Sequence, residues 1–155
     1  EAPEILPVLE AHFDIDAILG ALAVDLAIGN EDGYARNANN FLLYHEPTLG
    51  RWWLLPWGID RAFQPPVERL ETSGDRPGVL AQRCLAEASC AAKLAEKLAE
   101  VADVMGTLPE EARAIADRTG ALFDADPRAE TSGLERWSAR QELFAFTDGR
   151  EAALR

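Results

Sequence analysis

The sequence predicts a mostly α-helical unit with one small β-hairpin near its start, an α+β arrangement. Three observations predict it. Apolar residues recur at helical spacing through most of the chain, two short runs of strand-forming residues flank a turn containing Pro and Gly, and no internal repeat or low-complexity tract breaks the pattern. At 155 residues the chain is long enough to bury a core, so one domain over 1–155 is expected.

The segment "HFDIDAILGALAVDLAIG" reads as the first helix, with Asp14 as N-cap and Phe13 placed to staple onto Ile18. Ile15, Ile18, Leu19, Leu22 and Leu26 share one face, and Gly29-Asn30 is a natural stop. A polar connection, "NEDGYARNANN", leads to "FLLY" and "RWWLL", joined by "HEPTLG". These runs read as a hairpin at about 40–56, packed on the helices through Trp52 or Trp53 with Leu43 and Leu55. Gln64 to Gly78, rich in Pro, Gly and charge, reads as a loop. Leu80, Cys84, Ala88, Ala91, Leu94, Leu98, Val101 and Met105 then mark one face of a single long helix. Thr107 with Glu110 forms a capping box for a third helix bearing Ala112, Ile115 and Leu122, which Asp126-Pro127 ends. A last helix runs from about Gly133 to Phe146.

Fifteen basic against 27 acidic residues leave a net charge of −12, which argues against nucleic acid or an anionic membrane as partner. Phosphorylated substrates stay open, provided divalent cations neutralise the site. No apolar run approaches the roughly 18 residues a membrane span needs, and the N-terminus has no signal-peptide pattern. A first residue Glu1 in place of Met suggests a processed or trimmed chain. On one straight helix Cys84 and Cys90 would stand roughly 9 Å apart on different faces, so they pair only if the helix breaks between them.

Pairing of the two strands brings Asn40 and Asp60 to the same end of the hairpin, where the connection carrying Asp32 and Asn37 also arrives. Trp57 and Phe63 are expected beside them as apolar walls. Asn and Asp offer hard oxygen ligands suited to Mg²⁺ or Ca²⁺, and a second Asp not fully engaged by metal can orient a hydroxyl or take its proton. The competing reading is structural: Asn and Asp cap turns, Asp-Gly is a common turn pair, and Asp60 could form a salt bridge with Arg61 or Arg36. His12 and His45 are isolated, and no P-loop, dinucleotide fingerprint, zinc spacing or nucleophile elbow is present.

"AVDLAIGNEDGYARNANNFLLYHEPTLGRWWLLPWGIDRAF" resembles the signature of the spore coat protein H (CotH) kinase family: an Asp-Gly-aromatic turn, an Asn before an aromatic strand ending in Tyr, then Pro-Trp-(Asp/Gly)-x-Asp-x-x-Phe. The resemblance runs from about Phe13 through Phe63 and more loosely to about residue 125. It implies a kinase-like fold in often secreted or surface-associated proteins, with a C-terminal-lobe core at about 13–125 and a helical tail at about 126–155. It implies that Asp32 is the catalytic-loop Asp, Asn40 a metal-binding Asn and Asp60 the second metal-binding residue. Mg²⁺ or Mn²⁺ with ATP would be the cofactors, and a protein Ser or Thr hydroxyl the acceptor. Gly58 stands where many members carry a first Asp. The interval from Asp32 to Asn40 exceeds the kinase spacing, which Asn37 matches, so Asn37 is a rival ligand. A kinase also needs an N-terminal lobe with a Lys/Glu pair, expected here to be missing, so the fragment alone should be inactive. Two other readings stand beside this one: a non-catalytic surface or spore-coat-type protein, and a helical module with a structural Ca²⁺ site.

Overall fold

Asp14 starts the helix around which the rest is built: its side chain accepts the Ala17 N–H at 3.0 Å. The computed structural model describes residues 4–63 and 76–155. Its elements are helices α1 (Ile5–His12), α2 (Ile15–Ala27) and α3 (Tyr34–Asn37), strands β1 (Phe41–Glu46) and β2 (Arg51–Pro56), then helices α4 (Val79–Ala86), α5 (Ala88–Met105), α6 (Leu108–Ala125) and α7 (Gly133–Leu154). The mostly helical unit with an antiparallel hairpin is therefore as expected. The loop expected over Gln64 to Gly78 lies largely outside the described residues.

Helix α2 buries Ile18, Leu19, Leu22 and Leu26 against Leu94, Leu98 and Met105 of α5, and Phe146 and Leu154 of α7 belong to the same buried cluster. Helix α1 was not expected. Pro7 disguises it in the sequence, yet in the first turn a missing N–H costs nothing. Its free N–H groups at Ile5 and Leu6 are taken by the Glu87 carboxylate, at 2.5 and 3.3 Å.

The single long helix expected from Leu80 onward is two helices, broken at Glu87, whose backbone is extended (φ −105°, ψ 120°). That break overturns the straight-helix geometry: Cys84 and Cys90 lie 4.9 Å apart at Cα and form a disulfide, both fully buried. Periodicity could not show the break, because α4 and α5 each keep a helical apolar face. Closing so short a loop is worth about 2–3 kcal/mol by the chain-entropy relation. The Cys84→Ala/Cys90→Ala variant is expected to lose that much in urea unfolding, and an unchanged midpoint would contradict it.

Thr107 does not form the expected capping box; its hydroxyl donates back to the Val104 carbonyl at 2.9 Å. The capping box is at Ser132 and Glu135, and α7 continues to Leu154, well past Phe146. Helix α6 has no buried residue, and between it and α7 lies an apolar groove of about 530 Å³ walled by Leu108, Ile115, Phe123, Leu143 and Phe63.

The hairpin pairs Phe41 with Pro56, Leu43 with Leu54 and Glu46 with Arg51. Its packing differs from expectation. Leu54 is the buried residue (5 % exposed), while Leu43, Leu55 and Trp52 remain well exposed. Trp52 joins the helices through its backbone, its carbonyl accepting the Asp14 N–H at 3.2 Å, and Arg51 bonds the Glu10 and Phe13 carbonyls at 2.7 Å. Leu54→Ala should therefore cost about 2–5 kcal/mol, clearly more than Trp52→Ala. Equal unfolding energies for the two variants would contradict this packing.

Candidate functional site

After α2 the chain turns at Gly29 (φ 61°) and passes through Asn30 into the Asp32 loop. Asp25, near the end of α2, is buried and accepts from Asn30 Nδ2 at 2.9 Å and from the Ala35 N–H at 2.7 Å. The second bond satisfies a free N–H at the start of α3. Gly33 is required here: a Cβ would sit 2.0 Å from Asp25 Oδ1.

Three asparagine amides converge on Asp32. Asn37 Nδ2 (2.6 Å) and Asn39 Nδ2 (3.1 Å) donate to its Oδ1, and Asn40 Nδ2 (2.9 Å) donates to Oδ2. The Asn37 bond first and the Asn39 bond next, joined by the weaker effects of Asn40 and the nearby Arg61 charge, hold the Asp32 carboxyl below the usual carboxylate range against the opposing effect of burial. Asp32 is thus a firm anion and a weak base. Each Nδ2 is committed to Asp32, and none of the three amide oxygens accepts a hydrogen bond among the described residues.

The segment bearing Asp60 is bonded to this loop at both ends. Trp57 N–H donates to the Asn40 carbonyl at 2.8 Å, and Glu31 N–H donates to the Arg61 carbonyl at 3.2 Å. Between them Gly58 (φ 57°) passes so close that a Cβ would lie 3.3 Å from Asn40 Cγ. Asp60 itself is exposed and makes no hydrogen bond or ion pair among the described residues. The alternative salt bridge from Asp60 to Arg61 is not formed; Arg61 pairs with Glu31 at 3.1 Å. Ala38 (φ 46°), Asn40 (φ 50°) and Phe63 (φ 61°) are left-handed non-glycine residues, and all three fall in these two segments. Such strain persists only where the surroundings over-determine it.

Of the two expected apolar walls, Trp57 is 66 % exposed, whereas Phe63 turns away to pack edge-on against Phe146, with ring centroids 5.7 Å apart. Three contributors were missed in the sequence. Asn39 was legible as half of an adjacent Asn pair, and Asp25 as a lone acid between Leu22 and Leu26 on the buried face of α2. Asn30 had no signal beyond its place after Gly29.

Among the described residues no three His, Cys, Asp or Glu side chains form a metal cluster. The oxygens on offer are the Asp60 carboxylate and the asparagine amide oxygens. That set is sparse for Ca²⁺, which takes six to eight oxygens, and it fits Mg²⁺ or Mn²⁺, of which Mg²⁺ is commonly held by one or two carboxylates with phosphates and water completing its shell.

Taken together, a mostly helical unit with one antiparallel hairpin, and an Asp32 loop in which three asparagine amides hold one carboxylate, define an α+β protein. The chain belongs to the CotH kinase family: the family model described as CotH kinase protein matches residues 4–152. The match reaches well beyond the Phe13–Phe63 signature and its looser extension to about residue 125, taking in α1 and nearly all of α7. No curated protein matches the chain.

Proposed function

We propose that this chain is the part of a CotH-type protein kinase that holds the metal and orients the acceptor, within a polypeptide that transfers the ATP γ-phosphoryl group to a protein Ser or Thr hydroxyl. The observation that carries the reading is the double tether between the two segments, Trp57 N–H to the Asn40 carbonyl and Glu31 N–H to the Arg61 carbonyl. It supports placing Asp60 at the same mouth as Asp32 and its three amides.

Asn40 and Asp60 would hold the divalent cation, and the close approach of Gly58 favours Asn40 over Asn37 for that place. The bound Mg²⁺ or Mn²⁺ supplies charge neutralisation at the β- and γ-phosphates. Asp32 would orient the acceptor hydroxyl. A carboxylate has about four lone-pair positions, and three are taken by amides, leaving one on Oδ2 for an O–H donor. Its weak basicity suits phosphoryl transfer, where positioning outweighs proton abstraction. The phosphate cover and its Lys/Glu pair would come from another lobe of the parent. The Cys84–Cys90 disulfide favours an oxidising compartment and hence a secreted or surface location.

The same saturation of Asp32 by amides favours the second reading, a non-catalytic protein that keeps the loop for binding. Transfer from γ-labelled ATP by the parent, with Mg²⁺ or Mn²⁺ and with chelator, separates the two. Metal-dependent labelling that Asp32→Asn lowers strongly, at nearly unchanged nucleotide affinity, is the expected result; no labelling under any metal would establish the non-catalytic reading.

A further inference from the structure

We infer that Asp25 is the positioning residue of the Asp32 loop, fixing from beneath, together with Asn30 and Gly33, the backbone that carries Asp32 and Asn37. The inference rests on the proposed kinase reading only for its effect on turnover.

A carboxylate on the buried face of α2 is costly. Asp25 follows Leu22 and precedes Leu26, both fully buried, and is itself only 7 % exposed. Burial pushes its carboxyl up, against the lowering influence of the Ala35 N–H, Asn30 and Arg36. An apolar residue would serve the core better, unless nearby polar groups need an acceptor that water cannot supply. Those groups are present: Asn30 Nδ2 reaches Oδ1 and the Ala35 N–H reaches Oδ2.

Both bonds bear on the site. Ala35 lies in the one-turn helix α3, which carries Asn37, a donor to Asp32. Asn37 N–H in turn bonds the Gly33 carbonyl at 2.9 Å. Gly33, the residue after Asp32, lies directly on the pair: an added Cβ would fall 2.0 Å and 2.5 Å from the Asp25 oxygens and 2.6 Å from Asn30 Nδ2. The backbone on either side of Asp32 is therefore seated on one buried carboxylate. Asp32 itself is less buried, and its amide donors sit on the same short loop.

The test uses three variants. Asp25→Leu keeps the γ-branched shape, with larger methyl groups in place of the carboxylate oxygens, and removes both acceptors. Asp25→Asn keeps an oxygen for the Ala35 N–H and offers an amide to Asn30, whose buried Oδ1 has no partner and can turn to accept it. In Gly33→Ala the added methyl must displace the Asp25 carboxylate. Transfer by the parent should fall roughly 10²-fold in kcat for Asp25→Leu and Gly33→Ala, with KM for ATP within about twofold, and Asp25→Asn should recover most of it. Amide hydrogen exchange on this chain supplies a readout that needs no activity. Asp25→Leu and Gly33→Ala should speed exchange at Ala35 and Asn37 and leave the α5 core amides unchanged, while Asp25→Asn stays near wild type. If the wild-type parent transfers nothing, the kinase reading fails and the exchange data still decide the inference. Should Asp25→Leu not fold, Gly33→Ala against Asp25→Asn decides it alone. Unchanged exchange at Ala35 and Asn37, or acceleration spread evenly over the core, would overturn it.

Discussion

Asp60→Ala, made in the parent polypeptide, is expected to lower metal-dependent phosphoryl transfer by roughly 10²–10³-fold or more while leaving the fold in place. Both halves of that expectation come from the surroundings of Asp60. It is exposed and makes no hydrogen bond or ion pair among the described residues, so truncating it removes no packing and breaks no internal bond. The segment around it is held by others, through Trp57 N–H, the Arg61 carbonyl and the Arg61–Glu31 pair, and keeps its path without the carboxylate. What disappears is the single carboxylate in the oxygen set proposed for the metal. Initial rates at saturating Mg²⁺ or Mn²⁺, with circular dichroism as the fold control, check the prediction. Full activity in a folded variant would remove Asp60 from the site.

Arg150→Ala should give the largest loss of stability. The guanidinium is fully buried, with Nε 2.6 Å from the Ala27 carbonyl and Nη2 2.5 Å from the Leu26 carbonyl. It thereby bonds two carbonyls at the C-terminal end of α2, that of Ala27 and that of Leu26, which also accepts the Gly29 N–H at 3.2 Å, and ties α7 to the helix leading into the Asp32 loop. Burial first, and the neighbouring Arg36 charge second, push its pKa down to about 10, which still leaves it cationic at neutral pH. The two hydrogen bonds to α2 from a charged donor, at about 1.5–3 kcal/mol each, put the cost at about 3–6 kcal/mol. Arg150→Met, which restores part of the volume and none of the donors, should recover only a minor share. Urea unfolding of both variants tests this, and a loss below about 1 kcal/mol for Arg150→Ala would contradict it.

Much of this was legible before any coordinates, for identifiable reasons. The hairpin could be read because two runs of strand formers flank a turn of the right length, and α2 because Asp14 announces its start and a periodic face follows it. The meeting of Asp32, Asn37 and Asn40 was expected because the hairpin sets Asn40 at its mouth and the polar connection delivers Asp32 and Asn37 to the same end. What escaped were features that depend on distant parts of the chain. The kink at Glu87 is invisible to periodicity, since the same carboxylate that breaks the long helix caps α1, more than 80 positions away in sequence. Burial of Leu54, with Trp53 half-buried and Trp52 exposed, depends on how β2 meets α2, which residue size does not reveal. Asp25 stands out in the sequence only as an acid on the buried face of α2; its role does not, because Asn30 and the Ala35 N–H become its partners only once the loop folds back over α2.

We propose that the Asp32 loop and the Asp60 turn form one site for a divalent cation and the phosphates of ATP. Paramagnetic broadening of amide resonances by Mn²⁺, recorded on the parent with and without ATP, tests it most directly. Asp32, Asn37, Asn39, Asn40 and the amides from Gly58 to Arg61 are expected to broaden together at low Mn²⁺ when ATP is present, and Asp60→Ala to abolish the effect. Broadening scattered over the acidic faces of α5 and α6, with these two segments unaffected, would contradict it.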